Sequence, residues 1–159
     1  MGPKTILLTV MLGMLTACSA THGKIGSWSR NRHDRAGERH GPWYSYYDTN
    51  NQLLTSKGRF KHGRMVGRWR YFTPGAGLEQ VERFHKLRPG FVTITYYHPN
   101  GQIARRGRAR YVNESDGLRF YWFGNWMVYA ADGKAAKVET YEVGRLLYSR
   151  PLQLNLLFE

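Results

Sequence analysis

The side chains with the widest chemical repertoire are six histidines: His22, His33, His40, His62, His85 and His98. Imidazoles one helical turn apart, or joined by cysteines, would signal a zinc centre. No two of these histidines have that spacing, and no cysteine accompanies them as a ligand. Asp34, Glu38 and His40 lie close together, but in a polar, basic segment that reads as a tether. Ser-His-Asp sets can be drawn from any chain of this length and mean nothing without geometry. The sequence therefore points away from an enzyme, a metal centre or a cofactor.

What the residue types do carry is charge. There are 24 Lys and Arg against 11 Asp and Glu, a formal +13. A chain this basic suits nucleic acid, an anionic membrane surface or an acidic protein. In extended segments alternate residues face opposite ways. Arg59 and Lys61 then share a face opposite Phe60. Arg68 and Arg70 stand opposite Trp69 and Tyr71, and Arg106, Arg108 and Arg110 opposite Gly107, Ala109 and Tyr111. These seven cations form a candidate basic binding face, which could equally be a solvated surface. A second candidate is the aromatic run Phe120, Tyr121, Trp122 and Phe123 with Trp126, because Trp, Tyr and Arg dominate interface hot spots.

Cys18 is the only cysteine. It follows a charged start ending at Lys4, the apolar run Ile6 to Leu15, and the tetrad Leu15-Thr16-Ala17-Cys18. The run is shorter than the roughly 20 apolar residues of a membrane-spanning helix. This arrangement resembles the lipobox of bacterial lipoproteins. The resemblance implies export, cleavage after residue 17, and acyl chains on Cys18 that anchor the protein to a membrane. Ser19 is not the aspartate that retains such proteins in the inner membrane, so the expected location is the outer membrane, facing the periplasm. Export argues against nucleic acid and leaves anionic lipid, lipopolysaccharide or an acidic protein.

The elements that position these residues recur. Units begin with Gly41-Pro42-Trp43, Gly67-Arg68-Trp69 and Gly124-Asn125-Trp126, and a third unit has Phe91 near its start instead. Each continues to aromatics and then a turn: Asn50-Asn51, Gly75-Ala76-Gly77, Asn100-Gly101 and Asp132-Gly133. Aligning Tyr47, Phe72, Tyr97 and Tyr129 gives spacings of 25, 25 and 32 residues. Asn-Gly and Asp-Gly predict type I′ hairpin turns, and the flanking Tyr, Trp, Val and Thr suit strands. In this alignment Trp43 has the parity of Tyr47, whereas Trp69 and Trp126 oppose Phe72 and Tyr129. A one-residue bulge in one class of unit would reconcile them.

The expected chain is all-β. A leader (1–17) precedes a lipidated basic tether (18–40), in which Trp28 could dock as a short first strand. Four hairpin repeats (41–147) and a capping strand (148–159) follow, the last marked by alternating Leu152, Leu154 and Leu156.

The repeats resemble MORN repeats, in the bacterial variant with Gly-x-Trp-x-x-Tyr-Tyr, a turn and Asn-Gly. The segments carrying the likeness are "GPWYSYYDTNNQLLTSKGRFKHG", "GRWRYF", "YYHPNGQIARRG" and "GNWMVYAADGK", from Gly41 to about Gly144. The resemblance implies an elongated, twisted antiparallel sheet of successive hairpins and no fixed catalytic residues. It also implies a protein-binding module, one concrete form being an immunity or antitoxin-type protein against a periplasm-acting toxin. The alternative is an envelope lipoprotein that binds anionic lipid or lipopolysaccharide.

Overall fold

The computed structural model describes residues 29–115 and 117–152. The leader, Cys18, Trp28, Leu154 and Leu156 lie outside the described residues.

Among the described residues, ten strands follow one another in a single antiparallel sheet whose spatial order is the chain order. They are β1 (Arg32–His33), β2 (Arg39–Tyr46), β3 (Leu54–Lys61), β4 (Arg64–Phe72) and β5 (Leu78–Phe84). Then come β6 (Phe91–Tyr97), β7 (Ile103–Glu114), β8 (Gly117–Tyr129), β9 (Ala135–Glu142) and β10 (Arg145–Pro151). The all-β sheet of successive hairpins expected from the sequence is the observed architecture.

The four anticipated turns lie between β2–β3, β4–β5, β6–β7 and β8–β9, but Asn100-Gly101 and Asp132-Gly133 are not the type I′ turns expected. In the third, the Gly101 N–H donates to the His98 carbonyl and the His98 N–H to the Gln102 carbonyl. Only Gly101 in that loop has positive φ. This is a type I turn closed by a left-handed glycine, with a bulge in the adjoining strand. Gly133 repeats the pattern, and Ala76 holds the same conformation at φ +62°. Two-residue turns with consecutive positive φ occur instead at His62-Gly63 and Val143-Gly144.

The register resolves the parity conflict differently from the expected single bulge. The extra residues after the four turns are Thr55, Glu79, Ala104 and Ala136, and the aromatics facing these bulges are Tyr46, Phe72, Tyr97 and Tyr129. Tyr46, not Tyr47, is therefore the first repeat's equivalent, and all three tryptophans precede their aromatic by three residues. Tyr47 belongs to the loop, closed by its N–H to the Leu53 carbonyl, two residues longer than the Thr73–Gly77 loop. In the third unit that spacing places Ile94, not Phe91, at the tryptophan position.

Two further irregularities explain Gly-x-Trp itself. Lys57 pairs with Arg70 and Arg59 with Val66, so Gly67, Arg68 and Trp69 stand opposite Gly58 alone. Gly124, Asn125 and Trp126 likewise stand opposite Gly107 alone. Gly67 and Gly124 take the left-handed turn that starts each excursion, at φ +68° and +66°. The tryptophan returns over the facing glycine, and its Nε1–H donates to the carbonyl of Arg59 or Arg108, 3.2 Å in both cases.

One face of the sheet makes the core. Val92, Ile94, Ala109 and Trp126 are fully buried, with Tyr96, Trp122 and Tyr141 packed around them. A second run of rings, Trp43, Phe60 and Trp69, crosses β2–β4 at centroid separations of 5.4 and 4.9 Å. Removing an indole such as Trp126 from water contributes roughly 4–6 kcal/mol.

The folded region starts earlier than residue 41. β1 pairs with β2, and the Asn31 side chain both donates to and accepts from the Tyr44 backbone at 2.8 and 2.7 Å. Where the tether was expected to run to residue 40, Arg32 to His40 instead form a hairpin at the edge of the sheet, and the first described strand is Arg32–His33. At the other edge, β10 begins at Arg145 rather than at residue 148.

Candidate functional site

Cross-strand partners project from the same face, so the register places every cation. Lys57, Arg70, Val81, Thr95 and Arg106 form one row across β3–β7. Arg68, Arg83, Thr93 and Arg108 form the next. Arg59, Lys61 and Arg110 alternate onto the same side. All seven anticipated cations therefore share the face opposite the core, and six are exposed, with Arg70 half-buried. The structure adds Lys57, Arg64 and Arg83. Arg83 was findable, since it alternates with Phe84 of the aromatic face.

Three pairs of like charge stand directly opposite each other: Lys57 and Arg70, Lys61 and Arg64, and Arg68 and Arg83. Such pairs are destabilising, by about 0.2–1 kcal/mol each. Among the described residues none of these ten cations makes an ion pair. Glu79 has the same parity in β5 without pairing to them, and Glu114 lies 3.8 Å from Arg119 and accepts from Tyr121. Aromatic rings support several of the cations: Lys57 over Phe72, Arg108 over Phe123 and Arg110 over Phe91, at 5.2–5.5 Å.

The Gly67 excursion opens a hollow of about 480 Å³ in this face, between β3 and β4. Lys57, Arg59, Arg68 and Arg70 surround it, with Tyr44 and Val66 completing the wall. Four cations around one depression can hold a carboxylate or a phosphate.

The aromatic run does not form one surface. Trp126 is fully buried, lying on Gly107 with Trp122 stacked 4.1 Å away. Trp122 and the half-exposed Phe120 belong to the core face, where Phe120 meets Tyr111 at 4.9 Å. Tyr121 and Phe123 point the other way, Tyr121 to Glu114 and Phe123 to Phe91. Strand alternation splits the cluster, which serves packing.

Two carboxylates are set into the aromatic face at equivalent places, Glu82 opposite Trp69 and Glu139 opposite Trp126. Glu82 accepts from Tyr71 and Gln80 at 3.0 and 2.8 Å, and burial pushes its carboxyl above the usual range. Glu139 is held below that range, mainly by Lys137 at 2.8 Å, with Tyr141 and Arg105 adding to it. Burial also pushes the Tyr111 hydroxyl up to about 12.

At the N-terminal corner the fold assembles a group that spacing does not reveal. Asp34 follows β1, His40 lies in β2, and His62 lies in the β3–β4 turn. Asp34 Oδ2 is 2.7 Å from His62 Nδ1 and 3.9 Å from His40 Nδ1. Asp34 Oδ1 accepts the Ala36 and Glu38 N–H groups, both at 3.0 Å. The Asp34 carboxyl is held below its usual range, first by the His62 hydrogen bond. Helical spacing along the chain does not reveal this group; hairpins bring together residues 22 and 28 apart.

No protein-family model, curated protein or solved structure matches this chain, so its likeness to hairpin-repeat families rests on its own motifs.

Proposed function

We propose that the chain is a non-catalytic, membrane-anchored lipoprotein of the MORN-like hairpin kind, whose basic face docks an acidic protein. The observation that carries this reading is the set of three unneutralised cation pairs across β3–β5. An arrangement that weakens the sheet by itself becomes favourable once anionic groups lie across it. Size agrees. The nine longer strands β2–β10, about 4.8 Å apart and about 26 Å long, offer a face of roughly 1,100 Å², against about 800 Å² per partner in a standard interface. The perturbed Glu82 is spent on Tyr71 and Gln80 within the packed face, which favours a structural over a catalytic use.

The concrete form is an immunity protein that neutralises a toxin reaching the periplasm. The test is co-expression with periplasm-directed toxins encoded beside it. Rescue by the wild type, lost when Arg59, Arg68 and Arg83 become serine, supports this reading. Absence of rescue, or rescue untouched by the triple variant, rejects it.

A second reading draws on the hollow and the ring-supported arginines, which suit phosphate headgroups beside an apolar layer. If Cys18 is acylated, the 11 residues to Ser29 reach at most about 40 Å, keeping the face near a membrane. This reading expects salt-sensitive binding to anionic vesicles, weakened by replacing Arg106, Arg108 and Arg110 with serine.

A further inference from the structure

We propose that Asp34, His40 and His62 form a binding site for a first-row divalent metal ion, with zinc the case to test. Two imidazoles and one carboxylate are the nitrogen and oxygen donors that zinc and its neighbours prefer. One ligand atom from each residue lies within 4.8 Å of the others. Tetrahedral zinc at about 2.0–2.1 Å from each ligand needs donors roughly 3.3 Å apart. The Asp34–His62 contact must open by about half an ångström, Asp34–His40 must close by a similar amount, and the two imidazoles, with donors as much as 4.8 Å apart, must approach by about 1.5 Å through side-chain rotation. Water would fill the fourth position.

Three features show a prepared site. The carboxylate is oriented, because two backbone N–H groups hold Oδ1 and leave Oδ2 toward the imidazoles. This is the outer support that metal ligands ordinarily have. The second feature is excess donor capacity. The two rings sit 4.8 Å apart beside one carboxylate, whose Oδ2 His62 already engages. His40 Nδ1 has only long contacts, 3.5 Å from the His62 nitrogen and 3.9 Å from Asp34 Oδ2. The third is the residue choice in the turn. His62 has φ +46° and precedes Gly63 at +70°, where asparagine is the favoured residue. A histidine there gives up turn stability and places an imidazole at the corner.

The ion would cross-link the β1–β2 turn to the β3–β4 turn, fastening the N-terminal edge in a chain whose single cysteine allows no internal disulfide. Binding breaks the Asp34–His62 hydrogen bond and releases any proton on the coordinating nitrogens. The site lies apart from the cation rows, so the inference does not rest on the proposed partner.

The experiment titrates cobalt(II), then zinc, into the detergent-solubilised full-length protein after chelator treatment. One equivalent of cobalt should give the intense visible bands of a four-coordinate site, and zinc should abolish them. His62→Asn suits the turn and should stay folded while losing at least ~10-fold in affinity; His40→Gln should do the same. His85→Gln, remote from the corner, should leave affinity unchanged. Zinc should raise the unfolding temperature of the wild type and not of His62→Asn. Weak six-coordinate bands, equal affinity in His62→Asn, or no metal-dependent shift in the wild type would overturn the proposal. The last result would leave the corner as a hydrogen-bonded Asp–His pair.

Discussion

The indole of Trp126 lies flat on Gly107: a Cβ built at that glycine would stand 2.1 Å from the ring. Trp69 and Gly58 repeat the relationship at 2.2 Å. Here glycine is needed for space, because neither residue has a left-handed φ.

Gly107→Ala and Gly58→Ala should each destabilise the protein by about 3 kcal/mol, since either the indole or the strand must move. Urea denaturation midpoints measure this. Gly75→Ala is the control, with its nearest side-chain atom 3.9 Å away and no left-handed φ. A Gly107→Ala cost no larger than the control would mean that the nesting does not hold the repeats together.

This relationship explains what could be read from the chain. Gly-x-Trp marked the repeats because the left-handed glycine and the returning indole are both local. The cation rows were legible because bulges of two extra residues preserve parity, leaving Arg59, Arg70 and Arg106 on one side. The alignment of Tyr47 failed because one long loop moves the repeat by a residue without changing its composition. Trp126 joined the candidate aromatic patch because a dense aromatic run looks the same whether its rings face water or lie on glycine. Asp34, His40 and His62 stayed invisible because a two-residue β1 carries no periodicity.

Glu82 and Glu139 should respond oppositely to pH. Burial raises the Glu82 pKa above its unfolded value, so its favourable contribution is complete below the unfolded value and is lost as pH rises through the folded one. Glu82→Gln should therefore gain stability over wild type as pH rises toward neutrality. Glu139 is depressed, so its contribution is present above the unfolded value and is lost as pH falls through the folded one. Glu139→Gln should cost about 1 kcal/mol at neutral pH and nothing in acid. Thermal unfolding of both variants across the acid-to-neutral range checks the signs.

Val143 occupies the first position of the β9–β10 turn at φ +45°. A β-branched residue is strained there, and its side chain is 64% exposed, with little packing in return. Val143→Asn should stabilise the protein by about 1 kcal/mol, seen as a higher urea midpoint. An unchanged or lower midpoint would show that the valine side chain contributes packing that outweighs the strain.

Arg68 and Arg83 face each other across β4–β5, with no carboxylate paired to either among the described residues. Replacing Arg83 by serine should raise stability by roughly 0.5 kcal/mol at low ionic strength. At 1 M salt, where the Debye length falls to about 3 Å, the gain should shrink toward zero. Arg35→Ser, an exposed change away from the rows, should give no such salt-dependent gain. The same Arg83→Ser protein should bind the proposed acidic partner more weakly. A stability gain together with a binding loss is the mark of a face kept cationic for use. If Arg83→Ser neither stabilises the sheet at low salt nor weakens binding, the rows are an ordinary solvated surface.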